Sequence, residues 1–307
     1  MSGLRYSEFR KTLTPRYRKV WGDILMGYGG LLLIGVVFWV VQFPLWPIAL
    51  LAALLGSIGF GYLHHYLALF MHEAAHFNLT SSRKTNDLMT NIFLGVLQGY
   101  SVETYRPTHF GHHREIGNVE DPEHHYFHAL DLRLIFLTLS GIRTAKGIGE
   151  RLFSTARRTL PASSQPSRSG FNWVVLAGGF VHGAIIVGAI MAGKWPLSVA
   201  WIIGFLIWFP FFSTLRQILE HRDFHASPNT DFTQIRHGAI TRIFSDGPLA
   251  STFGAAGFSR HLLHHWEPQI SYTRLRELER FLLDTEAGPI IRAQRETYLS
   301  TFRKLVK

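Results

Sequence analysis

Apolar residues along this chain gather in four blocks, and the blocks come in pairs. They run roughly at 25–44, 46–70, 171–192 and 195–215, each near the ~20 residues that a helix needs to cross a bilayer. None of them contains Asp or Glu. Pro44 and Pro47 bracket one short turn and Gly193-Lys194-Trp195-Pro196 forms the other, so each pair predicts a helical hairpin. Trp46 and Trp195 stand at those turns, where interfacial aromatics settle. Two weaker apolar stretches, 88–102 and 130–142, are too short to span and predict interfacial helices. Residues 161–170 (PASSQPSRSG) read as a linker. The pattern predicts an all-α integral membrane protein with one domain over 1–307. Four transmembrane helices in two hairpins would carry a helical cap built from 71–170 and 216–307.

Composition agrees: the chain is 47% hydrophobic and only 17% charged, a balance that belongs to the membrane class. Charge then orients the hairpins. Lys and Arg number 6 before the first block, 11 within 71–170 and 13 from Arg216 onward, and Lys194 alone lies in the opposite turns. By the positive-inside rule both termini and the cap are cytoplasmic. The first 20 residues carry six of these cations without an apolar core, so they predict a basic lead-in rather than a secretory signal. A net charge of +10 is accounted for by this topology and by attraction to anionic lipid, and no nucleic-acid partner is expected. With no Cys in 307 residues, disulfides, thiolate metal sites and Cys nucleophiles are excluded.

The chemistry sits in the histidines. Three clusters occur: His72-Glu-Ala-Ala-His76, His109-Phe-Gly-His112-His113 and His261-Leu-Leu-His264-His265. Each places imidazoles at i and i+3 or i+4, hence on one helix face. The first follows the second span directly, and the third follows the fourth span by about 45 residues, so the hairpins return all three to one side. Neutral imidazole is the commonest ligand for iron, zinc and copper, and eight clustered His exceed the needs of one ion. The pattern therefore predicts a two-metal centre within the cap. His221 and His225 repeat the i, i+4 spacing just beyond the fourth span; His221 is expected as a ninth ligand and His225 is not.

Ligating imidazoles usually donate their second N–H to a carboxylate or carbonyl. Asp121 and Glu220 are the first candidates for this, with Glu103, Glu115, Asp223 and Glu267 also near the clusters. Gln217, one turn before His221, is a candidate to bond a metal-bound water. The first cluster is also a literal HExxH, which in a zinc protease binds one ion with Glu73 as general base. That reading leaves both HxxHH clusters unexplained and finds no carboxylate ligand in any span. The other eight His, among them His64, His65, His182, His124, His125, His128 and His237, are expected to serve in packing, hydrogen bonding or solvation.

This constellation resembles the membrane fatty acid desaturase and hydroxylase superfamily. The resemblance extends to Tyr105-Arg106 ahead of the second cluster, to Asn118 and Asp121-Pro122 behind it, and to His264-His265-Trp-Glu-Pro268 leading towards Leu275 and Leu278. Pro268 is followed by Gln-Ile-Ser where acyl desaturases commonly show a second Pro. The resemblance implies two iron ions (Fe2+/Fe3+) held by His72, His76, His109, His112, His113, His221, His261, His264 and His265, with O2 as co-substrate. It implies desaturation of a lipid acyl chain, with hydroxylation or ketolation of a lipid or carotenoid-like substrate as the alternative. No reductase domain and no Cys for an iron–sulfur cluster are present, so electrons are expected from a separate ferredoxin or b-type cytochrome with its reductase.

Overall fold

The computed structural model describes residues 5–153, 172–226 and 241–306; the expected linker 161–170 and His237 fall outside them. Among the described residues four helices are long and apolar enough to cross a membrane: Tyr17–Val40, Trp46–Ala75, Trp173–Met191 and Trp195–His221. They are called here the first to fourth spans. The second and fourth overrun the apolar blocks, and each overrun carries histidine.

Local sequence explains the ends. Pro47 and Pro196 occupy the first turns of their helices, where a missing N–H costs nothing. The third span stops at Gly193, whose φ of +71° suits glycine. There the Gly193 and Lys194 N–H groups close back on the carbonyls of Ile190 and Ala189, at 2.9 and 2.7 Å. The second span ends past His72: His76 is its C-cap and Phe77 is left-handed, with φ 62°.

The second and fourth spans cross with their backbones nearly touching. A Cβ on Gly61 would collide with Trp208, and one on Gly204 would lie 2.7 Å from Phe60 Cβ, the close approach that small residues allow in membrane helices. Gly204–Trp208 forms a π-turn immediately ahead of Pro210. The extra residue absorbs the missing proline N–H and re-phases the rest of the helix, which sets the directions of Gln217, Glu220 and His221. Outward faces of the spans are apolar: Leu32, Phe180 and Met191 are 68, 77 and 82% exposed, as a hydrocarbon surround requires. Within the spans His182 is satisfied, accepting from Trp201 Nε1 (2.9 Å) and facing the Leu97 carbonyl (3.0 Å).

The remaining helices gather at the ends of the second and fourth spans. The second histidine cluster lies on Val102–Glu115, capped by the Ser101 side chain, and the third on His261–Trp266. Leu275–Leu283 packs behind the third, and the only sheet among the described residues is the parallel pair Ile243–Phe244 and Arg295–Glu296. The N-terminal helix Tyr6–Thr12 clasps this layer through Phe9 stacked on Phe281 (4.2 Å) and Arg10 paired with Glu267 (2.9 Å). The stretch expected as one interfacial helix over 88–102 is divided. Helical turns run on from Arg83 to Gln98, break at Gly99 (φ 77°) and restart after Ser101. Within the expected stretch 130–142 the helix covers Leu132–Leu139, with Leu132 and Phe136 exposed.

Candidate metal centre

Nine imidazoles converge in two groups. His72, His76, His109, His113 and His264 form one; His112, His221, His261 and His265 form the other. Eight of the nine are buried and His113 is partly so. The atoms that meet are Nε2. In the first group the separations are 2.7 Å (His72–His264), 2.8 Å (His76–His109), 3.1 Å (His109–His113) and 2.9 Å (His113–His264). In the second they are 2.8 Å (His221–His261) and 3.1 Å (His261–His265).

The HxxHH spacing explains how two short helices serve two groups. Residues i and i+4 lie nearly one above the other, whereas i+3 is rotated away. His109 and His113 enter the first group while His112 crosses to the second. On the other helix His261 and His265 enter the second group while His264 crosses to the first. The spans add the rest, His72 and His76 on one side and His221 on the other.

Neighbouring groups fix the rings. His112 Nδ1 donates to Asp121, at 2.8 and 3.0 Å from its two oxygens, so Nε2 is the nitrogen left to serve the second group. Asp121 is itself held by the Tyr126 hydroxyl (2.7 Å) and the Glu123 N–H (2.7 Å). On the first group the corresponding carboxylate is Glu123, 3.7 Å from His109 Nδ1. Burial alone would raise its pKa, but His109 and His112 beside it hold the carboxyl down at about 2, so it is an anion. Arg106 joins two clusters by donating to the Ala75 carbonyl at the end of the second span (3.0 Å), and Tyr105 stacks on His109.

The side chains around the groups find partners of their own. Gln217 Nε2 donates to Glu123 Oε2 at 3.0 Å. Glu220 lies not behind a ring, at Nδ1, but beside the converging atoms, with Oε2 3.5 Å from His261 Nε2. Glu103, Glu115, Asp223 and Glu267 bond elsewhere, to Asn91, Arg114, the His225 N–H and Tyr6 with Arg10. Glu123 was missed, although it follows Asp121 by two residues; its turn is not helical, so helix-face reasoning does not reach it. Glu73 accepts the Tyr272 N–H (3.1 Å) and joins neither group. It ties the first cluster to the chain behind the third. His225 is exposed, and so are His124, His125 and His128.

The donor set fits metal ions. Two nitrogens bound side by side at ~2.1 Å from one ion lie about 3.0 Å apart, and the observed separations bracket that value. Unprotonated nitrogens crowded at this distance repel unless a cation stands among them. Nitrogen donors without thiolate suit iron, zinc, copper or nickel and disfavour magnesium or calcium.

The sequence profile of the fatty acid desaturase family matches residues 44–292, which takes in all three clusters and His221. The chain belongs to that family of membrane oxidoreductases. It is an integral membrane protein of the desaturase and hydroxylase superfamily, and each of its two histidine groups could hold a metal ion. No curated protein matches it at a significant level.

Proposed function

We propose that the protein is an O2-dependent di-iron oxidoreductase that introduces a double bond into the acyl chain of a membrane lipid. The observation that carries this is the division of nine buried or partly buried imidazoles into two metal-sized groups at the ends of membrane-spanning helices. Iron in both groups supplies the power to reduce O2 and to remove hydrogen from an unactivated C–H bond. Two hydrogens leave the chain, two electrons and two protons arrive from outside, and O2 ends as two waters. The chain's own part is placement. Asp121 and Glu123 hold rings in register, and the second and fourth spans deliver His72, His76 and His221 from the apolar layer. Four spans in two hairpins, with termini and metal site on the cytoplasmic side, follow from the charge distribution. A separate ferredoxin or b-type cytochrome would then meet a basic face and supply the electrons.

Two measurements test the proposal. Protein purified without added metal should contain close to two irons per chain and little zinc. Lipid profiling of cells with and without expression should show a new double bond. A new hydroxyl instead would assign the protein to hydroxylation, and zinc without iron would refute the di-iron reading.

A further inference from the structure

The two groups are built by one rule until the spans contribute. The second span gives two imidazoles, His72 and His76, to the first group, while the fourth gives only His221 to the second. Positions at the same four-residue spacing from His221 are Gln217 and His225. Gln217 is bonded to Glu123, and His225 lies beyond the end of the helix. The side chain beside the second group is Glu220, which is buried. Its Oε1 is fixed by Arg216 (2.8 Å) and by the Tyr298 hydroxyl (3.4 Å). Oε2 stands 3.5 Å from His261 Nε2, the nitrogen that also meets His221 and His265.

We propose that Glu220 Oε2 is a fifth protein donor to the ion held by His112, His221, His261 and His265. This deepens the two-ion reading and rests on it. Were His261 Nε2 to donate a proton to Glu220, it could not bind a metal. As a ligand it carries no proton, and an anionic carboxylate oxygen facing that bare nitrogen at 3.5 Å is stabilised by a cation between them. Two donors 3.5 Å apart on an ion at ~2.1 Å subtend roughly 110°, an ordinary angle in a five-coordinate site. Each ion then has five protein donors, but one set is all imidazole and the other carries an anionic oxygen. The two ions are chemically distinct, and the carboxylate side favours the higher oxidation state.

The test uses full-length protein loaded with 57Fe, wild type and Glu220→Gln, read by Mössbauer spectroscopy and metal analysis. The wild type should show two doublets of equal area. In Glu220→Gln either one doublet disappears, with iron falling from about two to about one per chain, or one doublet alone changes its splitting. The untouched doublet reports that the protein is folded. Two irons with both doublets unchanged overturn the proposal. If the variant loses both ions, a map of the loaded wild type decides: Oε2 within about 2.3 Å of an ion supports it, and more than about 3 Å refutes it. Absence of iron from the wild type would instead refute the di-iron function.

Discussion

The five-histidine and four-histidine groups share an architecture but differ in what the membrane helices bring. In the first, the second span runs on for a full turn beyond the apolar block, so both His72 and His76 arrive on a rigid element. In the second, the fourth span stops at His221, where Arg222 turns extended with ψ 128°. The same i, i+4 spacing therefore yields two donors in one place and one in the other. Spacing names candidates, and the helix end decides which are delivered.

The sharpest way to break this comparison is to replace the nine histidines by Ala one at a time. Each variant should lose turnover by roughly 100-fold or more, beyond the 10–100-fold typical of residues behind a ligand. Iron spectra should sort the variants into two sets. His72, His76, His109, His113 and His264 perturb one ion, and His112, His221, His261 and His265 the other. The informative members are His112 and His264, which cross over. If each behaves like the rest of its own sequence cluster, the division is wrong.

A smaller effect sharpens the contrast between the two supporting carboxylates. Asp121→Ala should weaken the second ion by about 10–100-fold in a chelator competition, because it removes a 2.8 Å bond to His112. Glu123→Ala should weaken the first ion less, since its oxygen stands 3.7 Å from His109. Equal losses, or a larger one for Glu123, would show that distance does not rank them. Gln217→Ala removes only the bond that steadies Glu123. It should cost roughly threefold to tenfold at the first ion, in line with one hydrogen bond, and leave the second ion alone.

Much of this was legible in the sequence for a physical reason. Spans and clusters are local patterns, fixed by hydropathy and by the 3.6-residue turn. The nine imidazoles that converge could accordingly be named from spacing and from their position beyond a span. Which ion each would serve could not, because the crossing of His112 and His264 depends on how two helices distant in sequence face each other. The bonds that Gln217 and Glu220 make were not legible for a related reason. Their partners, Glu123 for one and Tyr298 for the other, are distant in sequence. Glu123 escaped because it sits on the turn after Pro122, where neither period applies.

His225 gives the smallest expected effect and the cleanest check on the role of the helix end. On a continuous helix it would lie one turn past His221, about 6 Å along the axis, on the same face and within reach of the second ion. The chain does not continue that way. Arg222 leaves the helix, its guanidinium donates to the carbonyls of Phe127 (2.7 Å) and Ala226 (3.2 Å), and Asp223 accepts the His225 N–H at 2.7 Å. Those bonds hold the segment as a turn and leave the ring of His225 exposed. An exposed side chain away from any cap or core usually changes stability by less than about 0.5 kcal/mol. His225→Ala should therefore retain both irons and turnover within about twofold of wild type, while His221→Ala, four residues earlier, loses both its ion and its activity. Equal losses in the two variants would mean that the helix extends past His221 in the loaded protein, and the explanation given for the asymmetry between the groups would fail with it.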